Sequence, residues 1–204
     1  MFRHDACVGR DNRAVDPESI YHVTCRGSNR GRIVWDDYDC EAFRKELFRV
    51  AAAFEWEVFA WCLMPNHHHV VLRTHKQRFS DGFQQLNGNH SRRTNRRHGR
   101  TDHLFRNRPR STELASTAHL ITGIAYVFRN PLDAGLVEHA AAWRWSSYRA
   151  TLDFEPAPAW LLVDEVLELF GNQPRAARRA LERLVHFGHL PVSDTEEMPD
   201  PLMT

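Results

Sequence analysis

The chain holds little from which to build a membrane span, a disulfide scaffold or a cysteine-bound metal. Within its 204 residues, no apolar run approaches the roughly 18 residues that cross a bilayer, which argues against a membrane protein. The N-terminal Met-Phe-Arg-His-Asp-Ala-Cys lacks the apolar stretch of a secretion signal. Cysteine is sparse: Cys7, Cys25, Cys40 and Cys62 show neither Cys-x-x-Cys spacing nor a framework pattern. Free thiols in a reducing cytoplasm are therefore expected, and a structural zinc held by cysteine pairs is not. No internal repeat is evident. Acids are nearly missing from one stretch: Arg92, Arg93, Arg96, Arg97, Arg100, Arg106, Arg108 and Arg110 fall within 19 residues whose one acid is Asp102.

What is present describes a globular chain with uneven charge. A hydrophobic fraction of 42% and six tryptophans supply a core, and the length suits one domain of ordinary size with an appendage. The net charge of +1 conceals two opposite parts. Residues 1–150 carry 23 Lys and Arg against 16 Asp and Glu, whereas residues 151–204 carry 4 against 10. Such an imbalance points to a body that binds a polyanion, followed by an acidic tail.

Ile20–Arg26 is β-branched and aromatic and reads as a strand, and the Gly-Ser-Asn-Arg-Gly of residues 27–31 as a loop. Residues 36–54 place apolar side chains at helical spacing after an acidic start that suits the helix dipole. Trp56–Met64 is apolar on both faces, as a central strand covered from both sides must be. A second strand follows the Pro65-Asn66 turn. Phe79–Arg97 predicts a helix with Phe83 and Leu86 inward, residues 99–110 an extended basic loop, and residues 111–114 a short strand. A helix over residues 115–129 should end near Asn130, because the residue before a proline avoids helical backbone. Trp143-Arg144-Trp145 reads as packing rather than base stacking, and residues 159–170 and 174–187 as two more helices. The simplest assembly of residues 18–130 is a β-α-β-β-α-β core: an α+β fold with a ferredoxin-like antiparallel sheet and helices packed on it.

Residues 64–74 read Met-Pro-Asn-His-His-His-Val-Val-Leu-Arg-Thr. Strand side chains alternate, so His67, His69, Val71 and Arg73 share one face and His68, Val70 and Leu72 the other. Two imidazoles one residue apart on one face can reach the same metal ion; the alternative is a histidine-rich strand end at a turn, with no ion. A third ligand must come from elsewhere. Tyr126 and Asn130 are four residues apart on one helix face, with His119 two turns earlier. A phenol and an amide oxygen beside a two-histidine metal would combine nucleophile and Lewis acid. Taken singly, Tyr126 also fits simple packing and Asn130 a helix end. The eight arginines, with His90, His98 and His103 interleaved and Phe105 close by, favour phosphate contacts and single-stranded nucleic acid over a solvated helix face.

Four segments, in order, carry a family likeness: Tyr21-His-Val-Thr-Cys-Arg-Gly-Ser-Asn-Arg30, Met64-Pro-Asn-His-His-His69, Ala125-Tyr-Val-Phe-Arg-Asn-Pro131 with Ala134-Gly-Leu-Val137, and Trp145-Ser-Ser-Tyr148. Over residues 18–150 the chain resembles the single-tyrosine HUH transposases. Within them it is most similar to the REP-associated tyrosine transposases, bacterial chromosomal relatives of the IS-type enzymes. The resemblance implies an HUH nuclease fold, a divalent metal held by His67, His69 and Asn130, and Tyr126 as nucleophile. It implies attack on a phosphodiester of single-stranded DNA, a 5′-phosphotyrosine, and a free 3′-OH that can reverse the reaction on a new strand. Substrates of that subgroup are imperfect-palindrome hairpins with a short guide sequence beside the stem. Arg26, Asn29 and Arg30 of the first segment join the eight arginines as candidate DNA contacts. Mg2+ or Mn2+ is expected in use, and Ni2+ or Zn2+ would also suit two imidazoles in a crystal. The resemblance leaves monomer and homodimer open, and places the chain in the bacterial cytoplasm at the nucleoid.

Two features depart from the family pattern. The middle HUH position, normally bulky and apolar, is His68, which must find a buried partner or reach an edge. Residues 90–97 are rich in Asn, Thr and Arg, where the family often has a tyrosine or other aromatic. The expected organisation is an N-terminal extension (1–17), the transposase-like domain (18–150), a C-terminal helical appendage (151–190) and a disordered acidic tail (191–204). Two other functions stay open at this point: a hairpin-binding regulator derived from such a transposase that does not cut, and a metal phosphoesterase with water as nucleophile.

Overall fold

The computed structural model describes residues 19–74 and 79–188. The expectations for residues 1–17, Cys7 among them, and for the tail at 191–204 lie outside the described residues. Strands β1 (Ile20–Arg26), β2 (Trp56–Met64), β3 (His67–Thr74) and β4 (Arg110–Glu113) form one sheet in the order β2-β3-β1-β4, every neighbouring pair antiparallel. With helices α1 (Asp37–Ala53) and α2 (Phe79–Arg97) as crossovers, this is the expected ferredoxin-like arrangement.

Both faces of β2 and β3 are covered, which explains their unbroken apolar run. On one side Val58, Trp61, Leu63, Val70 and Leu72 meet Phe43, Leu47 and Val50 of α1 and Phe83 and Leu86 of α2. On the other, Phe59, Ala60, Cys62, Met64 and Val71 meet Leu120, Ile124, Val127 and Phe128 of α3 (Thr117–Asp133). Phe59 and Ala60 face the same way because the pairing shifts register between Val58 and Ala60. Asp36 caps α1 by accepting from the Asp39 N–H at 3.0 Å. At Gly82, a Cβ would stand 2.5 Å from Cζ2 of Trp56, so the missing side chain sets how closely α2 rests on β2.

Helix α3 corrects one expectation. It does not stop near Asn130 but runs to Asp133 with Pro131 in its last turn. There Pro131 withdraws only the N–H that would have reached the Val127 carbonyl. Ala134 N–H bonds to the Asn130 carbonyl at 3.0 Å and Leu136 N–H to the Pro131 carbonyl at 2.9 Å, closing the turn. Burial of Val127, Phe128, Asn130 and Pro131 holds the segment helical against the local preference.

Beyond α3 come a short α4 (Tyr148–Thr151), which sequence periodicity did not reveal, then α5 (Val163–Glu168) and α6 (Pro174–Phe187). The expected helix at 159–170 starts late because the edge of β2 claims residues 160–162: Val58 N–H donates to the Trp160 carbonyl and Leu162 N–H to the Val58 carbonyl, each at 2.9 Å. Trp145 is buried, and Trp143 Nε1–H donates to the Leu63 carbonyl at 2.9 Å, so both pack as expected. Leu181 and Val185 of α6 join the core under α3. Arg129 of α3 donates to the Val185 carbonyl at 2.7 Å, which latches the two helices. Cys25, Cys40 and Cys62 are free, buried thiols. Among the described residues, no helix is long and apolar enough to cross a membrane.

Candidate active site

The histidine strand starts directly after the Pro65-Asn66 turn, and its alternation divides the three rings. His68 faces α1 and α2, fully buried, with Phe43 at 5.0 Å between ring centroids. Its Nε2–H donates to Asn87 Oδ1 at 2.8 Å, while Nδ1 has no partner. Burial pushes His68 down to about 3, so the ring stays neutral. This is the buried partner that the departure from an apolar residue required.

His67 and His69 face α3, their ring centroids 4.8 Å apart. His67 Nδ1 lies 2.6 Å from Asn66 Oδ1, and its Nε2 lies 3.4 Å from Asn130 Oδ1. Both amides are oriented by their other ends: Asn66 Nδ2 donates to the Arg30 carbonyl at 3.1 Å, and Asn130 Nδ2 to the Tyr126 carbonyl at 2.7 Å. A neutral imidazole has one N–H, and the short contact to Asn66 takes it. The Nε2 lone pair of His67 is left facing the carbonyl oxygen of Asn130, acceptor against acceptor. His69 adds a third acceptor, since its Nδ1 faces β1 and its buried Nε2 has no partner. Lone pairs gathered without a donor suit a cation. Among the described residues no group of three or more His, Cys, Asp or Glu could hold a metal; the further oxygen beside the pair is Asn130 Oδ1, 3.4 Å from His67 Nε2.

Neither histidine competes for protons. Burial, with a smaller contribution from the Arg26 charge, lowers His67 to about 4. Burial holds His69 well below the usual imidazole range, assisted by neighbouring His22 and His67. Tyr126 stands over this pair on α3. Its ring lies edge-on to His69 at 5.5 Å and to His22 at 5.8 Å, and the residue is 47% exposed. A phenol so placed can meet a ligand from solvent while keeping its ring against the histidines.

Comparison with known proteins identifies the family and the fold. A family model described as IS200-like transposase matches residues 17–120. The chain belongs to the IS200-like transposase family. Among solved structures, a REP-associated tyrosine transposase bound to a REP hairpin aligns with a TM-score of 0.60. It covers 74% of this chain and 89% of that one at 14% identity, so the two share a fold. No curated protein matches the chain.

The candidate DNA contacts of this IS200-like transposase fall into separate groups. Arg26 is exposed and pairs in register with His67, and Arg110 with Thr24, which itself pairs with His69. By the pleat, both arginines share the face of the histidine pair. Arg92, Arg93, Arg96 and Arg97 are exposed on α2, which covers the opposite face. Of these, Arg97 is committed to two carboxylates: it donates to Asp36 at 2.6 and 2.8 Å and to buried Asp39 at 2.6 Å. Arg100 lies over the Trp35 ring at 5.3 Å, and Arg106 and Arg108 are exposed ahead of β4. His90 and Leu104 belong to the core, and Phe105 packs against it. Asn29 and Arg30 are exposed with φ of 54° and 59°. Their loop is tied down by Asn66 and by Ser28 N–H donating to the Leu104 carbonyl at 2.9 Å.

Three residues of the site escape the reading of motifs. His22 and Thr24 sit beside His69, and Asn66 beside His67. A signal for the first two was present: β1 alternates polar His22, Thr24 and Arg26 with buried Val23 and Cys25. Such a polar row, on a strand beside the histidines, has to face them or water.

Proposed function

We propose that this transposase-family chain is a divalent-metal-dependent endonuclease and strand transferase that acts on single-stranded hairpin DNA through Tyr126. The observation that carries the proposal is the meeting of an exposed phenol with the partnerless Nε2 of His69 and with His67 Nε2, which faces Asn130 Oδ1 at 3.4 Å. The hairpin as substrate is supported by the solved neighbour of the same fold, which is bound to a REP hairpin. Membership of a transposase family supports action on DNA in the cytoplasm, at the nucleoid.

In this reaction Tyr126 Oη attacks the phosphorus of a phosphodiester, and the bond from phosphorus to O3′ breaks. The phenol proton ends on the released 3′-OH, and the 5′ phosphate stays on the protein as a phosphotyrosine. Attack by a 3′-OH on that phosphorus reverses the balance and rejoins DNA. A divalent cation, Mg2+ or Mn2+, held by His67, His69 and Asn130 would supply charge stabilisation at the phosphoryl oxygens. Arg26 and Arg110 add fixed positive charge on the same face. Neutral His67 and His69 keep their lone pairs free for a cation across the whole physiological pH range.

The test is a labelled hairpin oligonucleotide incubated with the protein and Mn2+. A covalent protein–DNA adduct is expected, lost in Tyr126→Phe and in His67→Ala. An adduct that forms unchanged in Tyr126→Phe removes Tyr126 from the mechanism. Cleavage without adduct that survives loss of Tyr126 but not of His67 points to water as nucleophile. Salt-sensitive binding with no cleavage under any divalent ion points to a regulator.

A further inference from the structure

His22 lies outside the ligand set above yet touches His69 of that set and the ring of Tyr126. Its Nε2 is 2.8 Å from Nδ1 of His69, and the two rings stack at 5.0 Å with 23° between their planes. Its edge contact with the Tyr126 ring is 5.8 Å between centroids. Thr24 Oγ1 approaches the same His69 nitrogen at 3.0 Å and stands 3.5 Å from His22 Nε2. The far nitrogen of His69, Nε2, is buried without any partner.

We infer that His22, with Thr24, is a positioning residue that accepts the Nδ1–H of His69 and so holds the His69 Nε2 lone pair toward the cation site. The inference rests on the metal reading above and concerns how this chain prepares one ligand for it. The tautomer argument is independent of any ion. One of two hydrogens must sit between His22 Nε2 and His69 Nδ1. If it belonged to His22, the remaining proton of neutral His69 would be a buried N–H with no acceptor, a costly orphan. If it belongs to His69, what remains at Nε2 is a lone pair, which is what a ligand needs.

The arrangement matches that at His67, whose Nδ1–H is taken by Asn66 Oδ1 at 2.6 Å. Both candidate ligands thus have their outer nitrogen engaged, the recurring way in which a metal-bound histidine is oriented. The acceptor more often used is a carboxylate, which cancels part of the ion's charge. A neutral imidazole and a hydroxyl leave that charge undiminished for an anionic phosphodiester.

The experiment uses the full chain without DNA. Co2+ is titrated and its visible absorption followed for the parent, His67→Ala, His22→Phe and His22→Gln. Phenylalanine keeps the ring packed against Tyr126 but cannot accept; glutamine can accept through its amide oxygen. Binding is expected to weaken about 10- to 100-fold in His22→Phe, to recover in part in His22→Gln, and to vanish in His67→Ala. Parental affinity in His22→Phe, with binding lost in His67→Ala, overturns this inference alone. No Co2+ binding by the parent overturns the metal reading and this inference with it. Long-range 15N–1H spectra of the metal-free parent give the same answer without a variant. His69 should carry its proton on Nδ1, and a proton found on Nε2 overturns the assignment.

Discussion

Histidines shut away from water bind protons weakly, and this chain has several. His22 and His67 are lowered to about 4 and His68 to about 3, each chiefly by burial. The unfolded chain, with imidazoles near 6.5, therefore takes up protons first. Stability is fully present above pH ~6.5 and lost as pH falls toward the folded values, at up to ~1.4 kcal/mol per pH unit for each such ring. Urea midpoints of the metal-free protein measured from pH 7 to 4.5 should fall accordingly. His68→Leu should make that decline shallower by about one ring, while costing ~1–3 kcal/mol at pH 7 because Asn87 Oδ1 loses its donor. Adding Asn87→Leu should return most of that cost; a double variant as unstable as the single one would refute the pairing. At this scale the sequence made His67, His69, Tyr126 and Asn130 legible, since strand and helix periodicities alone put each pair on one face. It left His22 unassigned: the alternation of β1 marks a polar face, but what that face meets is fixed only by the pairing of β1 with β3.

The elements themselves were legible wherever periodicity was strong: β1, β2, β3 and α2 lie where the pattern puts them. The misses occur where tertiary contacts outweigh local preference. Pro131 stays inside α3 because its flanking residues are buried, and residues 160–162 stay extended because the edge of β2 had open hydrogen-bonding groups. Gly82 makes the converse point. By helix propensity alone, Gly82→Ala should stabilise α2 by about 1 kcal/mol. The new methyl would meet the fully buried Trp56 ring at 2.5 Å, and a packed core does not yield cheaply. The expected result is a net loss of ~1–3 kcal/mol in thermal or urea unfolding. A gain would mean that α2 rides further from β2 than its glycine implies.

Across the whole molecule, positive charge occupies both sides of the sheet. Arg26 and Arg110 stand with the histidines, and the arginines of α2 stand behind them. The sequence announced the charge but not its division, since Arg110 follows the α2 arginines closely in the chain and only the fold separates them. It also could not tell a ligand-binding arginine from a structural one. Arg93, Arg96 and Arg97 are all exposed, but Arg97 bridges Asp36 and buried Asp39. Fluorescence anisotropy of a hairpin oligonucleotide across a salt series should separate them. Arg93→Ala and Arg96→Ala should each flatten the dependence of log K on log salt by ~0.7 for a lost single-strand phosphate contact. Arg97→Ala should leave that slope near the parent's and lower the melting temperature instead. Equal slopes in all three variants and the parent would remove α2 from the DNA-binding surface.

One small amide joins an exposed loop to the candidate site. The nitrogen of Asn66 grips the strained loop at Asn29 and Arg30, while its oxygen steadies the His67 ring. Any force on that exposed loop is therefore felt at the imidazole across a single side chain. Grafting the loop onto a relative, or exchanging it for another, would demand that Asn66 travel with it.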